Sequence, residues 1–175
     1  MTINPLSYLK RTDKWYVSGG KGLTWAPTHP KFLQTLGFWD KAHFLSYPIN
    51  HLFSIALLTE NCKLINPHIV KRIWYPNELV TEYNSDSLQI RERKYLNFRD
   101  VLVSDLSIEN ISPKIQSVKL VAWGWQILKD INAVKYDSQE NMLTMNLLLR
   151  KRDYKLSVKI LLELKGHQNT QYLML

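Results

Sequence analysis

The chain has 175 residues, of which 45% are hydrophobic and 22% charged; this balance suits one compact core and excludes collagen, coiled coil and disorder. Lys plus Arg is 23 against 15 for Asp plus Glu, a formal charge of +8, with no dense basic tract that would select a nucleic acid. The lone cysteine, Cys62, excludes an internal disulfide and makes cytoplasmic residence the expectation.

Met1 to Leu9 has no basic start followed by an apolar stretch, and no later apolar run approaches a bilayer span. Neither a signal peptide nor a membrane helix is expected. From Trp15 to Phe53 nine aromatics fall in 39 residues, about twice the 11% average of the chain. Gly19, Gly20, Gly22, Gly37, Pro27, Pro30 and Pro48 interrupt the same stretch, so residues 1–51 are expected to form aromatic-anchored loops packed on a sandwich core of residues 52–175, one structural domain in all. Within them Gly37 to Phe44 is expected to be an ordered loop, with Trp39 anchored and Asp40 accepting backbone amides.

From Leu52 the texture changes to short β-favouring runs between polar turns. The strands are expected at Leu52–Leu58, Val70–Tyr75, Leu79–Tyr83, Leu88–Leu96, Asp100–Glu109, Ile115–Gln126, Met142–Arg150 and Tyr154–Leu164, with a weaker one at Ala133–Tyr136. Asn84 to Ser87, Asn97 to Arg99, Asp137 to Asn141 and Arg152-Asp153 read as hairpin connections, so most strands should pair with their sequence neighbours. Leu102, Ser104, Leu106 and Ile108 share one face, as do Val118, Leu120 and Ala122. Leu147 to Leu149 and Ile160 to Leu162 are apolar on both alternations, which fits either strands covered on both faces or helix. The fold class is therefore all-β, an antiparallel two-layer β-sandwich.

Few residues carry recognisable chemistry. The five histidines, at 29, 43, 51, 68 and 167, are scattered and no Cys-x-x-Cys or His-Glu-x-x-His occurs, so no metal site and no cofactor is assigned. Ser18-Gly19-Gly20-Lys21-Gly22 lacks the glycine spacing and the Ser or Thr after lysine of a phosphate loop, and reads as a turn. Cys62 reads as a hairpin or strand-end residue without the partners of a nucleophile. Glu82, Glu92, Asp100, Asp105 and Glu109 fall in or beside strands, where they are expected on solvated faces or strand ends, and no two acquire the facing geometry of a glycosidase. No catalytic residue is assigned. The six tryptophans are the richest resource, because an indole face stacks on a sugar ring or fills a core. Trp123 and Trp125 flank Gly124 on one parity and project from one face.

Gly37-Phe38-Trp39-Asp40-Lys41-Ala42-His43-Phe44 is followed by Pro48-Ile49-Asn50-His51-Leu52-Phe53, then Arg72-Ile73-Trp74-Tyr75-Pro76, Leu88 to Tyr95 and Asp100 to Asn110 with its Leu-x-Ile-x-Asn ending. This ordered series, over about residues 36 to 126, resembles the N-terminal β-supersandwich domain that precedes the helical (α/α)6 barrel in six-hairpin glycoside hydrolases, the glucoamylase-like and amylo-1,6-glucosidase-like enzymes. The resemblance implies a shortened supersandwich in a carbohydrate context. The catalytic acid and base of that family belong to the barrel, and nothing after Leu164 resembles one, so the resemblance implies a fragment, excised domain or separate subunit. The expected role is a non-catalytic sandwich whose partner is a helical glycosidase domain in cis or trans, with Trp39, Asp40, Trp74, Trp123 and Trp125 as sugar or interdomain contacts. The competing roles are an autonomous oligosaccharide-binding module and, third, a basic nucleic-acid-binding domain resting on Arg91 to Tyr95 and Arg150 to Arg152. A membrane is not among the expected partners.

Overall fold

The computed structural model describes residues 20–25, 35–39, 42–45, 47–49, 53–75, 77–123, 131–139, 142–149 and 154–161. Over these residues the chain is all-β, every strand pairing is antiparallel, and no helix occurs.

The N-terminal region differs from the expected loops. It contains β1 (Leu23–Trp25), β2 (Leu36–Phe38), β3 (Ala42–Phe44) and β4 (Tyr47–Ile49), each three residues long. β1, β3 and β4 form a small sheet in that order. Glycine and proline shorten pairing here without abolishing it: Pro48 lies on β4, an edge strand, where a missing N–H is tolerated. The expected loop from Gly37 to Phe44 is in fact the end of β2 and all of β3, joined by residues 39–41, and Asp40 lies outside the described residues.

Next come β5 (Phe53–Thr59), β6 (Leu64–Ile65), β7 (His68–Trp74), β8 (Glu78–Asn84), β9 (Leu88–Leu96), β10 (Leu102–Asn110) and β11 (Val118–Trp123). β7 to β10 form a meander of sequence neighbours, but β11 returns to pair with β5, whose other edge carries β2 and β6. That return departs from purely sequential pairing and produces two layers, the β10-β9-β8-β7 sheet and the β11-β5-β2 sheet. Cys62 sits exposed in the β5–β6 turn.

Two apolar clusters fill the space between the layers. One joins Leu36, Ile55 and Leu57 of the β5 sheet to Tyr83, Leu88 and Ile90 of the meander. The other joins Phe38, Leu79 and Leu96 to Leu23, Trp25, Ala42 and Ile49 of the small N-terminal sheet. The expected inward faces of β10 and β11 are observed at Leu102 and Leu106 and at Val118 and Leu120, which pack on the clusters; Ile108, expected on the same face of β10, is exposed near the strand's end.

β12 (Ile131–Asp137), β13 (Met142–Leu149) and β14 (Tyr154–Leu161) form a further three-stranded meander. These are strands rather than helix; the register aligns positions 143, 145 and 147 with 136, 134 and 131 of β12, and positions 142 to 149 with 161 to 154 of β14.

Candidate functional site

The two layers present very different outer faces. On the meander, Gln89, Arg91, Arg93 and Tyr95 of β9 alternate with the buried set and meet Asp105, Ser107 and Glu109 of β10 across the register. Arg93 bridges Glu78 at 2.8 Å and approaches Asp105 at 3.6 Å. That is a solvated face. On the β5 sheet the register pairs Trp123 with Ser54, Val121 with Ala56 and Leu58 with both Lys119 and Leu64, all opposite in parity to the core residues Ile55 and Leu57. Trp39 follows Phe38 onto this outer side, and its ring meets that of Trp123 edge to face, centroids 5.2 Å apart. The backbone carbonyl of Trp39 accepts the Nε1–H of buried Trp25 at 3.0 Å, which ties the indole pair to the core. The outer side is thus a mostly apolar strip of Trp39, Trp123, Val121, Ala56, Leu58 and Leu64, with buried Ser54 beside Trp123 and exposed Lys119 beside Leu58, and with Trp123 still 38% exposed.

A second constellation lies inside. The even positions of β9 are all buried, and two of them are Glu92 and Lys94. Oε1 of Glu92 accepts the Gly37 N–H and the Ser104 hydroxyl, both at 2.7 Å; Oε2 accepts the Tyr83 hydroxyl at 3.0 Å and faces Lys94 Nζ at 3.3 Å. Four partners exhaust the carboxylate's acceptor sites. Lys94 also donates to the Thr35 carbonyl at 3.0 Å and lies over the Trp25 ring at 5.7 Å. A bulge between Ile69 and Lys71 shifts the parity of β7, which turns Arg72 toward this seam, where its Nε donates to Thr81 Oγ1 at 3.4 Å. Burial pushes the Arg72 and Lys94 pKa values down, against the pull of Glu92 in each case. Burial, and after it the Glu92 charge and hydrogen bond, pushes the Tyr83 hydroxyl well above the ordinary phenol value.

Gly37 explains how the seam closes. Its φ is +81°, and a Cβ there would meet the Phe53 carbonyl oxygen at 2.9 Å. Only glycine lets β2 lie this close to β5 while aiming its amide at Glu92. The seam therefore ties the β2 segment, through Thr35 and Gly37, to the meander. Glu92 was expected on a solvated face or strand end; the alternation of Leu88, Ile90 and Leu96 places it in the core instead. Enclosed, and with four partners, it is a structural carboxylate of the seam.

Asp100, in the β9–β10 turn with φ +62°, is also a strut. Its Oδ1 accepts the backbone N–H groups of Gly22 at 3.0 Å and Leu23 at 2.9 Å. Partial burial raises its pKa, but the amides of residues 21–23 and the nearby Lys21 charge outweigh that and hold it below the usual carboxylate value.

Of the five sequence-predicted contacts, the structure brings Trp39 and Trp123 together on the outer side of the β5 sheet. Trp74 is elsewhere, half-buried against the inner cluster of Trp25 and Leu79. Asp40 and Trp125 lie outside the described residues. Among the described residues no three His, Cys, Asp or Glu side chains converge as metal ligands, and no helix is long and apolar enough to cross a membrane. These features define an antiparallel β-sandwich module with a polar seam inside and one apolar outer face. No protein-family model and no curated protein sequence matches the chain.

Proposed function

We propose that the chain is the non-catalytic sandwich component of a carbohydrate-active enzyme, resident in the cytoplasm, and that its β5-sheet outer face seats against a helical catalytic domain in cis or in trans. The observation that carries this reading is the contrast between the two outer faces: one layer is charged, whereas the other presents the Trp39–Trp123 pair continued by Val121, Ala56 and Leu58. An apolar strip several residues long suits a protein surface. A sugar platform needs hydrogen-bonding groups around its rings, and the neighbours of this indole pair are mostly aliphatic. The carbohydrate context comes from the resemblance of residues 36 to 126, and the seam carboxylate contributes no hydrolysis.

The test is titration of the full chain with an isolated (α/α)6 domain of the glucoamylase type and, separately, with maltooligosaccharides. Complex formation with the domain, weakened by Trp123→Ala, and no turnover of maltooligosaccharides by the chain alone are expected. Binding of maltooligosaccharides without any affinity for the helical domain would overturn the reading in favour of an autonomous sugar-binding module.

A further inference from the structure

We propose that one end of the sandwich, built from the β7–β8 and β9–β10 turns, is a contact surface for anionic phospholipid membranes. In an antiparallel meander alternate turns fall at the same end, so Tyr75 and Asn77 lie at the same end as residues 97–101 while the β8–β9 turn lies at the other. The N-terminal segment joins them there. Gly22 and Leu23 donate to Asp100, and Leu45 donates its N–H to the Gly22 carbonyl at 2.9 Å with its side chain against Gly22.

Chain segments far apart in sequence thus place Leu45, Tyr75, Phe98 and Val101 at one end, each between 42% and 64% exposed. Singly exposed apolar residues need no explanation, but four gathered at one end do. Lys21 and Arg99 stand exposed beside them, with the Arg99 guanidinium 5.5 Å from the Phe98 ring. Glu78 is paired with Arg93 through two hydrogen bonds at 3.0 and 2.8 Å, whereas Asp100, held by two backbone amides, keeps its charge and offsets that of nearby Lys21. The end is therefore apolar, with its cationic excess carried by Arg99.

An anionic bilayer matches both properties. The boundary between headgroups and acyl chains takes up Phe98, Leu45 and Val101, the ring of Tyr75 suits the headgroup level, and lipid phosphates pair with Arg99. A single-stranded nucleic acid would use the rings and the cations but leave Leu45 and Val101 without a role, since neither has a face to stack. Tyr75, Phe98, Arg99 and Val101 lie in turns of the meander and Leu45 and Lys21 beside the small N-terminal sheet, all with exposed side chains, so contact requires no rearrangement of the core.

The experiment is cosedimentation of the full chain with vesicles of phosphatidylcholine alone and of phosphatidylcholine containing phosphatidylserine, alongside titration with a single-stranded oligonucleotide. Binding to the phosphatidylserine vesicles only, weakened by added salt, is expected. Phe98→Ala should weaken it about tenfold, as loss of a buried aromatic does, and Arg99→Glu by about fivefold or more, from roughly 1 kcal/mol for one cation near an anionic surface. Ile115→Ser, a fully exposed position beyond the opposite end of β10, should leave it unchanged. Both tip side chains are exposed, so unchanged thermal midpoints check that the variants fold. Absence of vesicle binding, equal binding to both vesicle types, equal weakening by Ile115→Ser, or a preference for the oligonucleotide overturns the proposal.

Discussion

Glu92 and Lys94 sit two residues apart on one strand, point the same way into the sandwich, and form an ion pair at 3.3 Å with side chains 0% and 2% exposed. Pairing of this kind offsets a desolvation cost of several kcal/mol per ion only when the remaining donors and acceptors are satisfied as well. Here they are, by Gly37, Ser104 and Tyr83 on one partner and Thr35 and the Trp25 ring on the other. Since Thr35 and Gly37 belong to the β2 segment and the others mostly to the meander, the pair fixes where the N-terminal region docks.

The first prediction follows from the asymmetry between breaking and replacing such a pair. Lys94→Met leaves Glu92 charged and underpaired, and Glu92→Leu strands Lys94 together with the Tyr83, Ser104 and Gly37 donors. Each single change should cost about 3–5 kcal/mol. The double variant should cost clearly less than the sum, because Lys94 and Glu92 are removed together and neither is left charged without the other; the loss of the Glu92 charge near Arg72 is common to the Glu92 single and the double and cancels in the cycle. Urea denaturation of the four proteins measures the coupling, and additive losses would show that the two groups do not act as a pair.

Much of this architecture is legible in the sequence. Most strands from β5 onward, the two-residue β6 excepted, lie where β-favouring runs between Asn, Asp and Ser turns place them, and β9 spans the predicted Leu88–Leu96. The buried pair was legible too: Glu92 and Lys94 share the parity of Leu88, Ile90 and Leu96, whereas Gln89, Arg91 and Arg93 take the other. Acidic residues are so commonly exposed that composition masked the alternation. The short N-terminal strands were hidden by the glycines and prolines between them, since three-residue pairings leave no periodic signal. The cationic tip is not legible at all from sequence, because Lys21, Leu45, Tyr75 and Phe98 are brought together only by the hairpin topology and the Asp100 strut.

That strut supplies a prediction for acid. The Asp100 carboxylate has a folded pKa below its unfolded value of about 3.9. The stability it contributes is therefore fully present above that unfolded value and is lost as pH falls through the folded one. Asp100→Asn keeps an acceptor oxygen and a residue type that tolerates φ +62°, but removes the charge. Wild type should be the more stable above about pH 4, and the gap should close as the solution is acidified further. A gap independent of pH would mean that the ionised form is not what the Gly22 and Leu23 amides hold.

The tryptophans divide by environment, and stability measurements should separate them. Trp25 is enclosed, its ring edge to face with Phe38 at 5.1 Å and beneath Lys94. Trp25→Ala should cost about 3–5 kcal/mol, the usual range for a core aromatic. Trp39 and Trp123 are half-buried and exposed respectively on the outer face. What they share is the ring contact, for which the expected coupling is about 0.5–1.5 kcal/mol in a double-mutant cycle. Each single alanine variant should therefore fall well short of the Trp25 value, and the Trp39→Ala/Trp123→Ala double should lose less than the two singles combined. The Trp25 Nε1–H bond to the Trp39 carbonyl is made by backbone and survives Trp39→Ala, so it does not confuse the comparison. A Trp39→Ala cost as large as that of Trp25→Ala would place the ring in the core and remove it from the docking face; near-additive singles would show that the indole contact contributes nothing beyond the area each ring covers.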